Sequence, residues 1–322
     1  MSVRPHSSRD GALADRLSRA EAGRGWRAAA QRAYLAVHHA AERVGLHVVR
    51  ASYDSPIPRR AELPGDAFER ESPMRGIAWD PDAQMAWVEA ELTPYLEEFR
   101  PESDPALEPA PGRFRLDNGT YDRVDAELLY AMVRFAGPSR YVELGSGYST
   151  LVAAQALAVN AREDRHGQLR CYDPYPSPHV EARPDLAPLV SRVGAQQLDE
   201  GVVRQLAAGD ILFVDTSHTV KLGGDVNRIV LDLLPLVAAG VIVHFHDIFL
   251  PRDYSRGHLD DAHFWTEQYL LQAFLADNPS WEVLVGAQAI ALAAPERLRA
   301  LIPSFRADVS PGAFWIRRRD VG

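Results

Sequence analysis

The chain has little cysteine, little lysine, no long apolar run and no positive charge excess. Cys171 is the single cysteine in 322 residues. No intrachain disulfide can form, which excludes a secreted disulfide scaffold and leads to the expectation of a cytoplasmic protein. Of 35 basic residues only Lys221 is a lysine, a bias that reflects composition and not chemistry. The formal net charge is −9, so neither nucleic acid nor an anionic membrane is an expected partner. No apolar stretch approaches the roughly 20 residues that span a bilayer. Residues 1–30 mix arginines with Asp10, Asp15 and Glu21 and lack an apolar h-region, which argues against a secretory signal.

What is present is enough apolar sequence, 46% of residues, for one large α/β domain or a domain with a smaller cap. No repeat of fixed period occurs. Residues 1–50 read as helical, with breaks at Gly23, Gly25 and Gly45. Pro56, Pro58, Pro64 and Pro73 make 51–75 irregular. Asp80 and Pro81 suit the N-cap and first position of a helix over 80–99. Pro101, Pro105, Pro109 and Pro111 mark 101–113 as a linker.

After Asn118 the pattern changes. Val124, Leu128, Met132 and Phe135 form a helical stripe that Gly137-Pro138 ends. Strands are then predicted at RYVEL, LRCYD, DILFVD, GVIVHF, WEVLVG and GAFWIRR. Helices are predicted at STLVAAQALAVNA, 225–238 and 259–276. Alternation of this kind gives βαβ units, and strands apolar at nearly every position fit a sheet covered on both faces. The expected fold is α/β: a doubly wound, mostly parallel sheet over 116–322, preceded by a helical extension, cap and linker over 1–115.

In such sheets ligands bind beyond the carboxyl ends of the strands. The first end, ELGSGYST, supplies Glu143, Gly145, Ser146, Gly147, Ser149 and Thr150. Its glycines allow a tight turn and close approach of backbone to ligand. Thr150 stands where a dinucleotide fingerprint has its third glycine, and the Glu143 carboxylate would repel a pyrophosphate. The second end is Asp173, placed to hold a ribose diol. The third and fourth are Asp215, with His218 three residues on, and His246-Asp247.

Taken together, VELGSGYSTLVAAQAL, DPYPSP and the long run from GDILFVDTSH to HFHDIFLPRDY resemble the class I S-adenosylmethionine-dependent methyltransferases. Within them the chain is similar to the small-molecule branch with FVD-x-SH and HxHDIF strand ends. The resemblance covers residues 115–318 and implies a seven-stranded Rossmann-like sheet. It implies that Gly145, Ser146 and Gly147, with Ser149 and Thr150 at the helix start, pass close to the donor. Asp173 would take the ribose, and Glu143 would brace the turn or bond the donor's ammonium. The adenine end falls near 194–198.

Asp215 lies where metal-dependent O-methyltransferases of this superfamily place a metal-binding aspartate. His218 stands where they carry a lysine base, and His246-Asp247 where they carry an acid and an amide. Asp215, His246 and Asp247 are therefore candidate ligands for one divalent cation. Oxygen ligands suit Mg²⁺, and the added imidazole moves preference toward Mn²⁺, Fe²⁺ or Zn²⁺. The catalytic candidates are His218, Asp215 and His246, with His218 as a base of ordinary pKa near ~6.5. A metal-free version needs only one imidazole and an aspartate to orient it. His244, on the same strand face but deeper, reads as a hydrogen-bonded structural histidine. Trp265, Tyr269 and Phe274 read as helix residues that face the core or a partner, and Lys221 as a solvated helix-start residue.

The leading expectation is methylation of a small-molecule hydroxyl, on a natural product or sugar. The alternatives are a metal-independent N-methyltransferase, a non-catalytic S-adenosylmethionine-binding protein, and a nicotinamide oxidoreductase that the glycine turn disfavours. A homo-oligomer contact, if one forms, is expected through residues 1–115.

Overall fold

Strands that are apolar on both sides must carry helices on both faces, and the computed structural model has that arrangement. It describes residues 9–101 and 110–320, with side chains from residue 26 onward. Pro105 and Pro109 of the expected linker lie outside the described residues. The chain divides into two compact units, Met1–Gly65 and Asp66–Gly322.

In the first unit α1 (Arg9–Glu42) runs through Gly23 and Gly25, where breaks were expected. A helical glycine costs about 1 kcal/mol relative to alanine, and the alanine-rich turns that follow sustain the helix. Gly45, with φ +78°, then closes it in the left-handed conformation.

In the second unit α2 (Pro81–Glu98) starts as expected: the Asp80 side chain accepts from the Ala83 N–H at 3.0 Å. It packs against α3 (Asp125–Ala136), which ends at left-handed Gly137. There follow β1 (Arg140–Leu144), α4 (Tyr148–Arg162), β2 (Gln168–Tyr172), α5 (Pro178–Glu181), β3 (Val190–Ser191), α6 (Glu200–Arg204) and β4 (Ile211–Val214). Next are α7 (Asp225–Asn227), β5 (Ile242–Phe245), α8 (Arg256–Asp260), α9 (Glu267–Leu275), β6 (Trp281–Gly286), α10 (Ala287–Ala293), α11 (Pro295–Leu301) and β7 (Phe314–Arg318). A π-helical turn over Arg228–Leu233 continues α7, in keeping with the helix expected there.

The helix expected over 259–276 is divided. The N–H groups of Thr266 and Glu267 both donate to the His218 carbonyl, at 2.8 and 3.1 Å, and α9 starts at that anchor. Trp265 therefore lies in the connection between α8 and α9 and not on a helix.

The sheet has seven strands in the order β3-β2-β1-β4-β5-β7-β6, parallel except for β7, which runs antiparallel to both neighbours. Alternate strand residues enter two cores. Helices α2, α3, α4, α10 and α11 cover one face; α6, α7 with its continuation, and α9 cover the other. The strand order reverses between β1 and β4, so their ends leave a crevice there. Among the described residues no helix is long and apolar enough to cross a membrane.

Candidate active site

The crevice begins at Gly145. Its φ is +106°, and a Cβ there would sit 2.1 Å from the Asp215 carbonyl oxygen. Only glycine lets the chain leaving β1 pass this close to the end of β4. The Glu143 carboxylate, fully buried, accepts from Ser149 Oγ at 2.6 Å and Thr150 Oγ1 at 2.9 Å. Thr150 Oγ1 in turn accepts from the Gly147 N–H at 2.9 Å. These three side chains thus tie the turn to the start of α4 and face inward. Gly147 has no neighbour within 4 Å of its would-be Cβ, so its backbone opens outward.

Beyond the turn is a cavity of about 460 Å³, in the range of small-molecule sites. Gly145, Ser146, Asp173, Asp215 and the stretches Gly194–Gln196 and Gly223–Asp225 line it, with Tyr175 and Lys221 also in the wall. Asp173 accepts from Ser146 Oγ at 2.7 Å and from the Tyr175 N–H at 2.8 Å. The lining carries three carboxylates, Asp173, Asp215 and Asp225, and one cation, Lys221. Such a wall favours a cationic ligand over a diphosphate.

Asp215 joins this cavity to a polar cluster. Its Oδ1 is 3.2 Å from His218 Nε2, and its Oδ2 is 3.6 Å from His246 Nδ1. Asp247 Oδ2 lies 3.5 Å from both of those imidazole nitrogens. On its far side His218 Nδ1 meets Glu267 Oε2 at 2.8 Å. His246 Nε2 meets Asp125 Oδ2 at 3.4 Å. His218 and Asp247 hold left-handed backbone, φ +54° and +57°, a conformation that non-glycine residues adopt chiefly where the surroundings enforce it. Trp265 packs on the His218 ring, centroids 4.5 Å apart.

The electrostatics are strongly coupled. Burial opposes the charged form of His218, but Asp215 and Glu267 outweigh it and push the imidazole up to about 10. The base expected at its ordinary pKa therefore holds its proton at neutral pH. Burial likewise opposes charge on His246, yet Asp247, Asp215 and Asp125 raise its pKa well above the usual value. Burial would raise Asp215, but His246 and His218 hold it well below the usual carboxylate range.

His244 is structural, as expected, but not hydrogen-bonded. Neither ring nitrogen has a partner among the described residues. Across the sheet Phe213, His244 and Trp315 fall in one row, and the imidazole sits between the two aromatic rings at 4.4 and 4.3 Å. Burial keeps it neutral.

The structure thus gathers Asp215, His218, His246 and Asp247 at one place, and Gly145, Ser146 and Asp173 around the adjoining cavity. Two members of the cluster, Asp125 and Glu267, were not singled out in the sequence.

Residues 142–248 match the model of a family described as "Methyltransferase domain". The match runs from within β1 to just past β5 and includes the glycine turn, Asp173, Asp215 and His246-Asp247. No curated protein matches the chain. A solved structure from Thermobifida fusca YX, to whose protein methyltransferase activity has been ascribed, is 16% identical. That likeness covers 80% of this chain and 97% of that one, at a TM-score of 0.37.

Proposed function

We propose that the chain is an S-adenosylmethionine-dependent methyltransferase that methylates a hydroxyl of a small molecule. The position of Asp215 carries this reading: it lines the cavity and also touches both imidazoles of the cluster. Donor and acceptor sites then meet at one residue. The methyltransferase-domain match over these strand ends supports methyl transfer. The acidic lining suits a donor that carries a sulfonium and an ammonium and no phosphate.

In this reading Asp173 accepts from the ribose hydroxyls, beside Ser146. Gly145 to Gly147 pass along the amino-acid portion, and Gly194 to Gln196 border the adenine. Glu143, Ser149 and Thr150 brace the turn. The acceptor oxygen attacks the methyl carbon, the carbon–sulfur bond breaks, and S-adenosylhomocysteine leaves. The proton passes to His218 Nε2, while Glu267 holds Nδ1 and offsets the imidazolium charge. The resting imidazole is already protonated, so it must first release that proton from Nε2 to solvent, which positive charge entering the cluster favours by lowering its pKa; the freed nitrogen then accepts the hydroxyl proton. The donor's sulfonium brings such charge beside Asp215.

The donor set also fits a divalent cation. Asp215, His246 and Asp247 each offer a ligand atom, and these lie within 4.8 Å of one another. A cation held there would supply charge that lowers the pKa of an acceptor hydroxyl.

Calorimetry with S-adenosylhomocysteine and NAD tests the donor. The homocysteine ligand should bind and NAD should not, and Asp173→Ala should weaken binding ~10-fold or more, the loss of a charged hydrogen-bond partner. Binding of NAD alone would overturn the reading.

A further inference from the structure

Three further imidazoles lie in the first unit. His38, His39 and His47 show no recognisable ligand spacing in the sequence; the fold supplies one. Residues three and four apart share a helix face, so the last turn of α1 sets Glu42 beside both His38 and His39. His38 Nε2 is 3.2 Å from Glu42 Oε1, and His39 Nδ1 is 3.4 Å from Glu42 Oε2. The chain then reverses at left-handed Gly45, where the Leu46 N–H donates to the Ala41 carbonyl at 3.0 Å. The reversal returns His47, whose Nδ1 is 3.8 Å from Glu42 Oε1. His38, His39 and Glu42 each offer one ligand atom, and these lie within 4.8 Å of one another.

The arrangement is that of a cation site and not only of surface ion pairs. His38 Nδ1 lies 2.9 Å from the Val48 carbonyl oxygen. A carbonyl only accepts, so Nδ1 carries the proton, and Nε2 keeps its lone pair on the side of Glu42. A backbone carbonyl behind the ring is a common way to orient a metal-ligating histidine. The spacing agrees: ligands about 2.0–2.1 Å from a tetrahedral Zn²⁺ lie ~3.4 Å from one another, and the separations of 3.2, 3.4 and 3.8 Å bracket that value. The carbonyls that end α1 add partial negative charge, which favours a cation there. The first unit also has a use for one. Among its described side chains, residues 26–65, none is buried. A segment without a core of its own draws order from other sources, and a bound metal is one of them.

We propose that His38, His39 and Glu42 bind one Zn²⁺, with His47 as the fourth ligand, and that the ion clasps the chain reversal at the end of α1. Imidazole nitrogens with a single carboxylate suit Zn²⁺, whereas Mg²⁺ and Ca²⁺ favour oxygen. Four protein ligands leave no open position for a substrate, so the ion is structural. The clasped segment is the one that runs back along the helix, where Val48 meets His38 and the Arg50 guanidinium lies 4.3 Å from the centre of the Tyr34 ring. The site lies outside residues 142–248, which match the methyltransferase-domain model, and does not depend on the reading of the crevice.

The test is Zn²⁺ titration of the full chain beside its His38→Ala, His39→Ala and His47→Ala variants. None of these rings belongs to a core, so the variants should fold, and an unchanged far-ultraviolet spectrum checks it. The crevice cluster could take a cation of its own, so the site is read by difference. His38→Ala and His39→Ala should each weaken one equivalent of Zn²⁺ by at least ~10-fold, no less than the loss of a partner behind a ligand. His47→Ala should weaken the same equivalent, and Asp247→Asn should leave it in place. The parent chain should hold this Zn²⁺ at least ~10-fold more tightly than Mg²⁺. Hydrogen exchange of the amides from Gly45 to Arg50 should slow when Zn²⁺ is added to the parent and not when it is added to His39→Ala. Zn²⁺ binding untouched by His38→Ala or His39→Ala would mean adventitious surface binding and overturn the proposal. Equal affinity for Mg²⁺, or exchange over 45–50 that Zn²⁺ does not slow, would overturn it as well. Parent affinity in His47→Ala would overturn the four-ligand site.

Discussion

The His218–Glu267 contact joins residues 49 positions apart and is a short bond between two buried groups. Burial raises the Glu267 carboxyl, and the imidazole partly reverses this. Replacement by glutamine keeps the volume and an acceptor oxygen but removes the charge that holds the His218 proton. Glu267→Gln should therefore move the acidic limb of the kcat/KM profile to lower pH and reduce turnover by ~10²-fold. A pH–rate series on both proteins checks it, and an unmoved limb would remove His218 as the group that titrates. Glu143 makes a different pH argument. Burial pushes its carboxyl up to about 8, against the Ser149 and Thr150 hydroxyls. The folded chain thus holds this proton more tightly than the unfolded chain, whose ordinary value is 4.5. This group's contribution to stability accordingly declines as pH rises from about 4.5 to about 8 and is level beyond. Glu143→Gln should flatten the fall in Tm over that window, measured by thermal melts at pH 5, 6.5 and 8.

Between β1 and α4 two glycines of one turn do opposite jobs, and substitution separates them. Gly145→Ala places a methyl 2.1 Å from the Asp215 carbonyl, on a backbone at φ +106°. It should destabilise the fold by ~3 kcal/mol or more, as read from chemical denaturation. Gly147→Ala meets nothing within 4 Å. It should leave stability within ~0.5 kcal/mol and instead weaken S-adenosylhomocysteine binding, if the donor backs onto this open edge. The turn was legible in the sequence because a strand-to-helix glycine turn leaves a local mark. So were β1, β2, β4, β5, β6 and β7, whose apolar runs are bounded by helices or turns. β3 was not, because its two residues, Val190 and Ser191, are too few for any periodicity. The division between α8 and α9 was not either. It depends on the His218 carbonyl, far away in sequence, capturing the Thr266 and Glu267 N–H groups.

At the scale of the molecule the same distinction explains the cluster. Asp215, His218, His246 and Asp247 follow strands, where position alone suggests a ligand. Asp125 and Glu267 are each the first residue of a helix, α3 and α9. An acid there already has a local reason, interaction with the helix dipole, and that reason conceals its role behind an imidazole. The cavity and cluster both lie within Asp66–Gly322, so their assembly should not depend on residues 1–65. The segment after residue 65 is another matter. Glu71 bridges Arg252, Ser72 N–H donates to the Pro251 carbonyl at 2.7 Å, and Gln272 on α9 donates to Ser72 Oγ at 2.7 Å. Met74 is buried in the same core as Leu271. These contacts fasten the chain to the loop after β5 and to the helix that carries Glu267. A protein starting at residue 66 should keep its cooperative melt and bind S-adenosylhomocysteine within a few-fold of the full chain. One starting at residue 80 loses Met74 and the bonds of Ser72, so it should melt lower and lose the His218–Glu267 register, read as a change in the pH dependence of turnover. Equal behaviour of the two truncated proteins would show that 66–79 does not support the site.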